Sequence, residues 1–194
     1  MQIAYVCTTL CAFLLWGCVT APGASTAQGK NLSKTTPLVL EKEEGERRVW
    51  RPLEDSSVHP SLFILKVDPR NGGSSHLVLG TEDLPPAGKI DRHRHPGADE
   101  ILWLQNGTAS VNLGTSVKNV HGGATVFIPA DTWISMNNVG QEVIHMVFVF
   151  SAPGFEDFMR AESVPEGEKL VPLTKTEDAA ILAKHSHAVI YEGP

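Results

Sequence analysis

Cysteine is missing from nearly the whole chain: Cys7, Cys11 and Cys18 are the only three in 194 residues. The body beyond residue 18 therefore has no disulfide, thiolate nucleophile or thiolate ligand, which excludes cysteine-hydrolase chemistry and zinc-finger sites. Basic charge is also scarce, with 16 Lys and Arg against 22 Asp and Glu and a net charge of -6. No long basic run supplies phosphate contacts, so a nucleic-acid backbone is not the expected partner. Arg47-Arg48 and Arg92 with Arg94 read as solvated faces. Serine-hydrolase and nucleotide motifs are absent too. There is no Gly-x-Ser-x-Gly or Walker loop, and Gly72-Gly73 lacks the lysine and helix of a phosphate cradle.

The chain divides by composition. Residues 1–27 read as an export signal, an apolar run from Ile3 to Val19 followed by small and turn-prone residues, although Met1-Gln2 brings no positive charge. Leu15-Trp16-Gly17-Cys18 resembles a lipobox, in which Cys18 would be lipidated and anchored to a membrane; cleavage after Ala27 is the competing choice. The protein is accordingly expected to be exported, as a periplasmic, lipid-anchored or secreted product. Residues 28–36, QGKNLSKTT, read as a flexible linker.

From residue 37 to 152 short apolar segments alternate with turn residues. A hairpin is expected from Pro37–Glu41 and Arg48–Trp50 around Glu44-Gly45, then strands at Ser61–Val67 and His76–Leu79. The Gly88–Leu104 stretch follows, with further strands at Thr108–Leu113, Ser116–Val120, Ala124–Ile128, Trp133–Met136 and Val143–Phe150. About ten short strands at regular spacing imply an all-β sandwich or barrel of jelly-roll type. Residues 153–194 change character: FEDFMRAE reads as a short helix, Thr176 as the cap of a second over 177–184, and His185-Ser186-His187 as a surface tail. This extension is expected to pack on the barrel.

The stretch GKIDRHRHPGADEILWLQNG, residues 88–107, carries the chemistry. His93 and His95 alternate on a strand, so both imidazoles leave one face. Glu100 follows the Pro96-Gly97 turn and opens the apolar run ILWL, where an unpaired charge is expensive and a cation is the simplest partner. Two imidazoles and a carboxylate suit one divalent transition metal (iron, manganese, zinc, nickel or cobalt) and leave coordination positions open. Asp99 is a candidate to orient a ligating imidazole from behind.

Gly88, His93, His95, Glu100 and Gly107 fall in order on the first motif of the cupin superfamily, which this stretch resembles, with one residue fewer than usual between Gly88 and His93. Gly123, Pro129 and Asn138 match the second motif, whereas Asp131 stands at its second glycine and Ile134 at its histidine. The resemblance implies a cupin-type jelly-roll β-barrel with a metal inside and a homodimer formed by sheet packing with exchanged N-terminal strands.

The missing fourth ligand draws attention to His145, the one polar residue of VIHMVFVF. If the chain turns at Val139-Gly140, Ile134 pairs with His145, which would then be the fourth ligand or a proton carrier. Ile134, with Trp103, Phe127 and Trp133, is a candidate wall of a substrate pocket; as strand residues these are equally plain core. Cupins include dioxygenases, isomerases, decarboxylases, lyases, binding and storage proteins, so the fold does not choose the reaction. The leading expectation is a metal-dependent dioxygenase acting on a small organic molecule. The alternative is a non-catalytic small-molecule-binding cupin, and a storage-like barrel is the weaker third reading.

Overall fold

Strand β10, Ile144–Phe150, shows why the chain folds as it does. Ile144, Met146, Phe148 and Phe150 point inward and are buried, while His145, Val147 and Val149 alternate outward. The same period of two runs through β5, Glu100–Leu104, and β8, Thr125–Ile128. Each strand therefore has one face for an interior and one for the surface, and two such sheets bury their apolar faces against each other.

The computed structural model describes residues 35–54 and 60–192, which fall in the unit Leu32–Pro194. The export leader, Cys18 and all but the end of the linker lie outside the described residues. The remaining strands are β1 Glu46–Trp50, β2 Leu62–Val67, β3 Val78–Leu84, β4 Lys89–Arg94, β6 Thr108–Leu113, β7 Ser116–His121, β9 Ile134–Asn138, β11 Ser163–Pro165 and β12 Ile190–Tyr191. One sheet has the order β11-β1-β2-β3-β10-β5-β8 and the other β12-β4-β9-β6-β7. All their pairings are antiparallel, and the two sheets face each other as a jelly roll without closing into one ladder. Phe63, Leu65, Leu104, Ile128, Ile134, Met136 and Met146 fill the space between them.

The helices α1, Phe155–Ala161, and α2, Lys175–His185, follow the last long strand. Arg160 of α1 is ion-paired with Glu46 of β1 (2.6 Å) and with the fully buried Asp68. Arg48 donates to Ser163 Oγ (2.7 Å) and to the carbonyls of Ser163 and Arg160. Arg48 is thus a tie between β1 and the segment after the barrel, not a solvated face.

Several expected boundaries shift. Residues 37–41 form no strand, and β1 pairs instead with β2 and β11. Helix α2 starts earlier than Thr176: Thr174 is its cap, accepting from the Glu177 backbone N–H (3.2 Å) while the Glu177 carboxylate takes the Thr174 N–H (2.9 Å). His185, expected in a surface tail, is buried against Phe158 at the end of that helix.

The tightest point of the core is Gly80 on β3, where an added Cβ would lie 2.3 Å from Phe148 Cζ and 2.5 Å from the Ile64 carbonyl oxygen. Gly80→Ala is expected to cost about 1–3 kcal/mol through overpacking. Chemical denaturation of the two proteins measures it, and an unchanged midpoint would contradict the close approach.

Candidate metal centre

Strand β4 belongs to the five-stranded sheet and β5 to the seven-stranded one, so the Pro96-Gly97 turn carries the chain from one sheet to the other. Gly97 takes φ 78 there, a left-handed conformation suited to glycine. His93 near the end of β4, His95 just beyond it and Glu100 at the first position of β5 consequently converge between the sheets. Their donor atoms lie within 4.8 Å of one another, and all three residues are buried. The convergence is made across the interior between the two sheets.

The hydrogen bonds decide what these groups can bind. His93 Nδ1 lies 2.7 Å from the Asp91 carbonyl oxygen, and His95 Nδ1 lies 3.0 Å from the Ala188 carbonyl oxygen. A carbonyl only accepts, so both Nδ1 atoms carry hydrogen and both Nε2 atoms present lone pairs. Those two Nε2 atoms are 3.1 Å apart, and His95 Nε2 is 3.5 Å from Glu100 Oε2. Glu100 Oε2 is buried with no hydrogen-bond partner. Protonating an imidazole would relieve the clash of lone pairs, but burial pushes both histidines down, His95 to about 3. The donor set fits a divalent cation: two neutral imidazoles, held from behind by carbonyls, and a carboxylate with a free oxygen.

A cavity of about 160 Å³ adjoins His93 and Glu100. Ile90, Ile134, Met136, Phe148 and Phe150 form apolar walls from both sheets, and Phe155, Met159 and Tyr191 close it from the C-terminal segment. Phe155 of α1 packs edge-on against the His95 ring at 4.5 Å, and β12 pairs Tyr191 with His93. Four carboxyl groups line this space, Glu82, Asp91, Glu100 and Glu162, and burial raises three of them. Burial raises Glu82 to about 7 against the hydrogen bonds from Trp50 and Ser61. Burial and the Glu82 charge raise Glu100 to about 8, and burial with the neighbouring Asp178 carboxyl raises Glu162 to about 8.

Of the other expected site residues, Ile134 reaches the cavity and the rest fall elsewhere. Ile134 is a cavity wall and faces His93 in the β4–β9 register, where it leaves the open side apolar. It does not pair with His145, because β9 lies in the five-stranded sheet and β10 in the seven-stranded one. His145 points to the outer face, where its Nδ1 is 2.6 Å from Asp83 Oδ1, so it is not gathered with the other two histidines. Trp103 and Phe127 are outward by the alternation of β5 and β8, 40% and 55% exposed. Trp133 lies outside too, under the guanidinium groups of Arg92 and Arg94 at 5.7 and 5.2 Å. Asp99 accepts from the Ala130 N–H (2.8 Å) and orients a loop, leaving the imidazoles to backbone carbonyls.

Asp131, where the motif has glycine, adopts φ 61. The position requires a left-handed residue, which an aspartate tolerates better than most. Its N–H donates to the His95 carbonyl (3.0 Å) and its carboxylate pairs with Arg94 (2.9 Å). The cavity groups Glu82, Glu162, Phe155 and Tyr191 escaped the sequence reading. Glu82 alone had a local signal, a charge in the inward phase Val78, Gly80, Glu82, Leu84.

These ionisations set a pH dependence. In the unfolded chain the three carboxyls lose protons near the ordinary 4.5, whereas folded they hold them to about 7 and 8. The folded state binds more protons in that interval, so its stability falls as pH rises through it. His93 and His95 act oppositely, adding stability as pH rises towards their ordinary 6.5 and nothing beyond. Between about pH 6.5 and 8 only the carboxyl effect remains, so the Tm of metal-free protein is expected to fall across that window. A flat or rising Tm in scanning calorimetry would contradict the buried carboxyl assignment.

Comparison with known proteins agrees with this architecture. Residues 80–150 match the family model described as a cupin domain. The chain is 28% identical over 111 residues to polyketide synthase CurC of Streptomyces cyaneus, covering 54% of this chain and 71% of that protein. A predicted oxalate decarboxylase from Thermotoga maritima superposes with TM-score 0.52 at 15% identity, over 60% of this chain and 100% of the other. An oxalate oxidase bound to the substrate analogue glycolate superposes more loosely, with TM-score 0.43 and 24% identity over 47% of this chain and 51% of that one. The family match begins on the strand that carries Glu82 and ends on Phe150 beside the histidines, so residues 80–150 form a cupin domain.

Proposed function

We propose that this cupin is a metal-dependent enzyme of the oxidoreductase, dioxygenase kind, acting on a small organic molecule in the cavity between its sheets. The observation that carries the reading is the orientation of the donor atoms. Two imidazole lone pairs and one unpartnered carboxylate oxygen face a common point beside a cavity lined mainly by apolar side chains. His93, His95 and Glu100 would hold the metal, and a divalent iron or manganese held by three protein groups supplies open positions for substrate and oxygen. The chain's own contribution is positional. The carbonyls of Asp91 and Ala188 fix the imidazole tautomers, and Phe155 and Tyr191 keep bulk water from the histidines.

A second reading, a non-catalytic binding cupin, draws on Ile134. The apolar residue opposite His93 leaves one side of the site without a ligand. Elemental analysis of the purified chain, after growth or reconstitution with iron or manganese, is expected to give about one equivalent of metal. His93→Ala and Glu100→Ala should lose it, whereas His145→Ala should retain it. Metal without oxygen uptake on any small phenolic or carbonyl substrate would favour the binding reading. No metal in the parent would sink the enzyme reading and leave the binding one.

A homodimer joined through the outer face of the seven-stranded sheet goes with this proposal. Ile101, Trp103 and Phe127 lie exposed there on adjoining strands, with Val147 beside Trp103 in the register. Trp103→Glu is expected to halve the mass measured by sedimentation equilibrium while leaving metal content unchanged. A parent that already sediments as a monomer would dismiss the dimer.

A further inference from the structure

Glu82 sits where the fold alone would place an apolar residue. Its row across the seven-stranded sheet runs Phe63, Glu82, Met146, Leu104, and the other three are buried apolar side chains. A carboxyl in such a row costs stability unless it is partnered, and two donors are supplied for it. Trp50 Nε1 donates to Glu82 Oε1 at 2.8 Å, and Ser61 Oγ donates to the same oxygen at 3.4 Å. Both come from outside β3, Trp50 at the end of β1 and Ser61 just before β2, so the carboxyl is held by neighbouring segments. Glu82 also lines the cavity that His93 and Glu100 line, and it is not one of the gathered donor groups.

The rest of the wall limits what could lie against it. Asp91, Glu100 and Glu162 line the same space, and Lys89 is the only lysine or arginine among its described lining residues. Even with a divalent cation in place, this wall offers a small dianion only one ammonium besides the metal, and each of its four carboxyl groups disfavours the dianion once ionised. A volume of about 160 Å³ admits a molecule of about one six-membered ring, similar to an apolar cavity that accepts benzene.

We infer that Glu82 is a substrate-contacting residue, the acceptor for the hydroxyl hydrogen of a neutral, ring-sized molecule of the phenol or enol class. The inference rests on the cavity being the substrate site, as proposed above, and assigns its substrate class. Trp50 and Ser61 orient the carboxyl, the aromatic side chains Phe148 and Phe150 offer faces to the ring, and the hydroxyl is held between Glu82 and the candidate metal position. Oxalate, the dianion in the names of two structural neighbours, is the wrong charge for this wall.

The test is calorimetric titration of the manganese-supplemented full chain and its Glu82→Gln variant with phenol, benzene and oxalate. Glutamine retains an oxygen that can accept from Trp50 and Ser61, so the fold is conserved, and benzene binding within about twofold of the parent checks this. At pH 8, where the Glu82 carboxyl is ionised, phenol is expected to bind the variant at least about tenfold more weakly, the loss of a charge-assisted hydrogen bond. Oxalate is expected to bind the parent more weakly than phenol. Equal phenol affinity in parent and variant, or tighter binding of oxalate than phenol, would overturn the inference. Manganese content, measured on the same samples, separates the two claims. An empty parent ends the metal-enzyme reading, yet a phenol-specific loss in Glu82→Gln would still support Glu82 as the acceptor, because Glu82 is not among the metal donors.

Discussion

Two imidazole lone pairs and a carboxylate oxygen pointed at one another in a dry interior form an arrangement that a folded chain avoids without a cation. A buried polar oxygen left without a hydrogen bond costs about 1–3 kcal/mol, and Glu100 Oε2 has no donor. Most of the architecture follows from keeping that arrangement in place. The histidines come from one sheet and the glutamate from the other, so the sheets must face each other at fixed spacing. The turn between them must reverse within a few residues, which Pro96 and Gly97 allow. Each imidazole must be prevented from rotating, and a carbonyl behind each ring does that.

Strand periodicity made the fold legible in the sequence because burial on one face of a sheet leaves a period of two in the residues. The candidate donors were equally readable: His93, His95 and Glu100 are close in sequence and sit where their charge or polarity conflicts with apolar neighbours. Pairing between strands was not readable to the same degree. The expectation that β9 and β10 form a hairpin treated adjacency in sequence as adjacency in the sheet, and in a jelly roll consecutive strands often cross between sheets. That one error carried His145 to the wrong face, since its side chain follows the inward or outward phase of β10 and not the identity of its neighbour. Trp103 and Phe127 were misjudged for a related reason. A large aromatic ring suggests a pocket wall, but alternation with Glu100, Leu102, Val126 and Ile128 sends both outward.

The departures from the second motif have different physical weight. Asp131 preserves what the glycine provides, a left-handed backbone, and adds an ion pair with Arg94 next to His95. Ile134 preserves nothing of a histidine's chemistry. It keeps the strand and fills the wall opposite His93 with a branched alkyl group, so coordination from that side is replaced by apolar contact. That side of the three donors therefore offers no fourth protein ligand.

The segment after the barrel is part of the site and not an appendage to it. The Ala188 carbonyl sets which nitrogen of His95 carries hydrogen, and β12 lies along the strand bearing His93. Phe155 covers both rings, and its helix is tied down through Arg160 to Glu46 and Asp68. If this segment separated from β4, His95 Nδ1–H would lose its acceptor, the ring could rotate, and water would reach the carboxyls whose ionisation burial suppresses. Donor orientation, cavity dryness and carboxyl protonation therefore depend on one docking contact, made by residues far along the chain from the motif that announces the site.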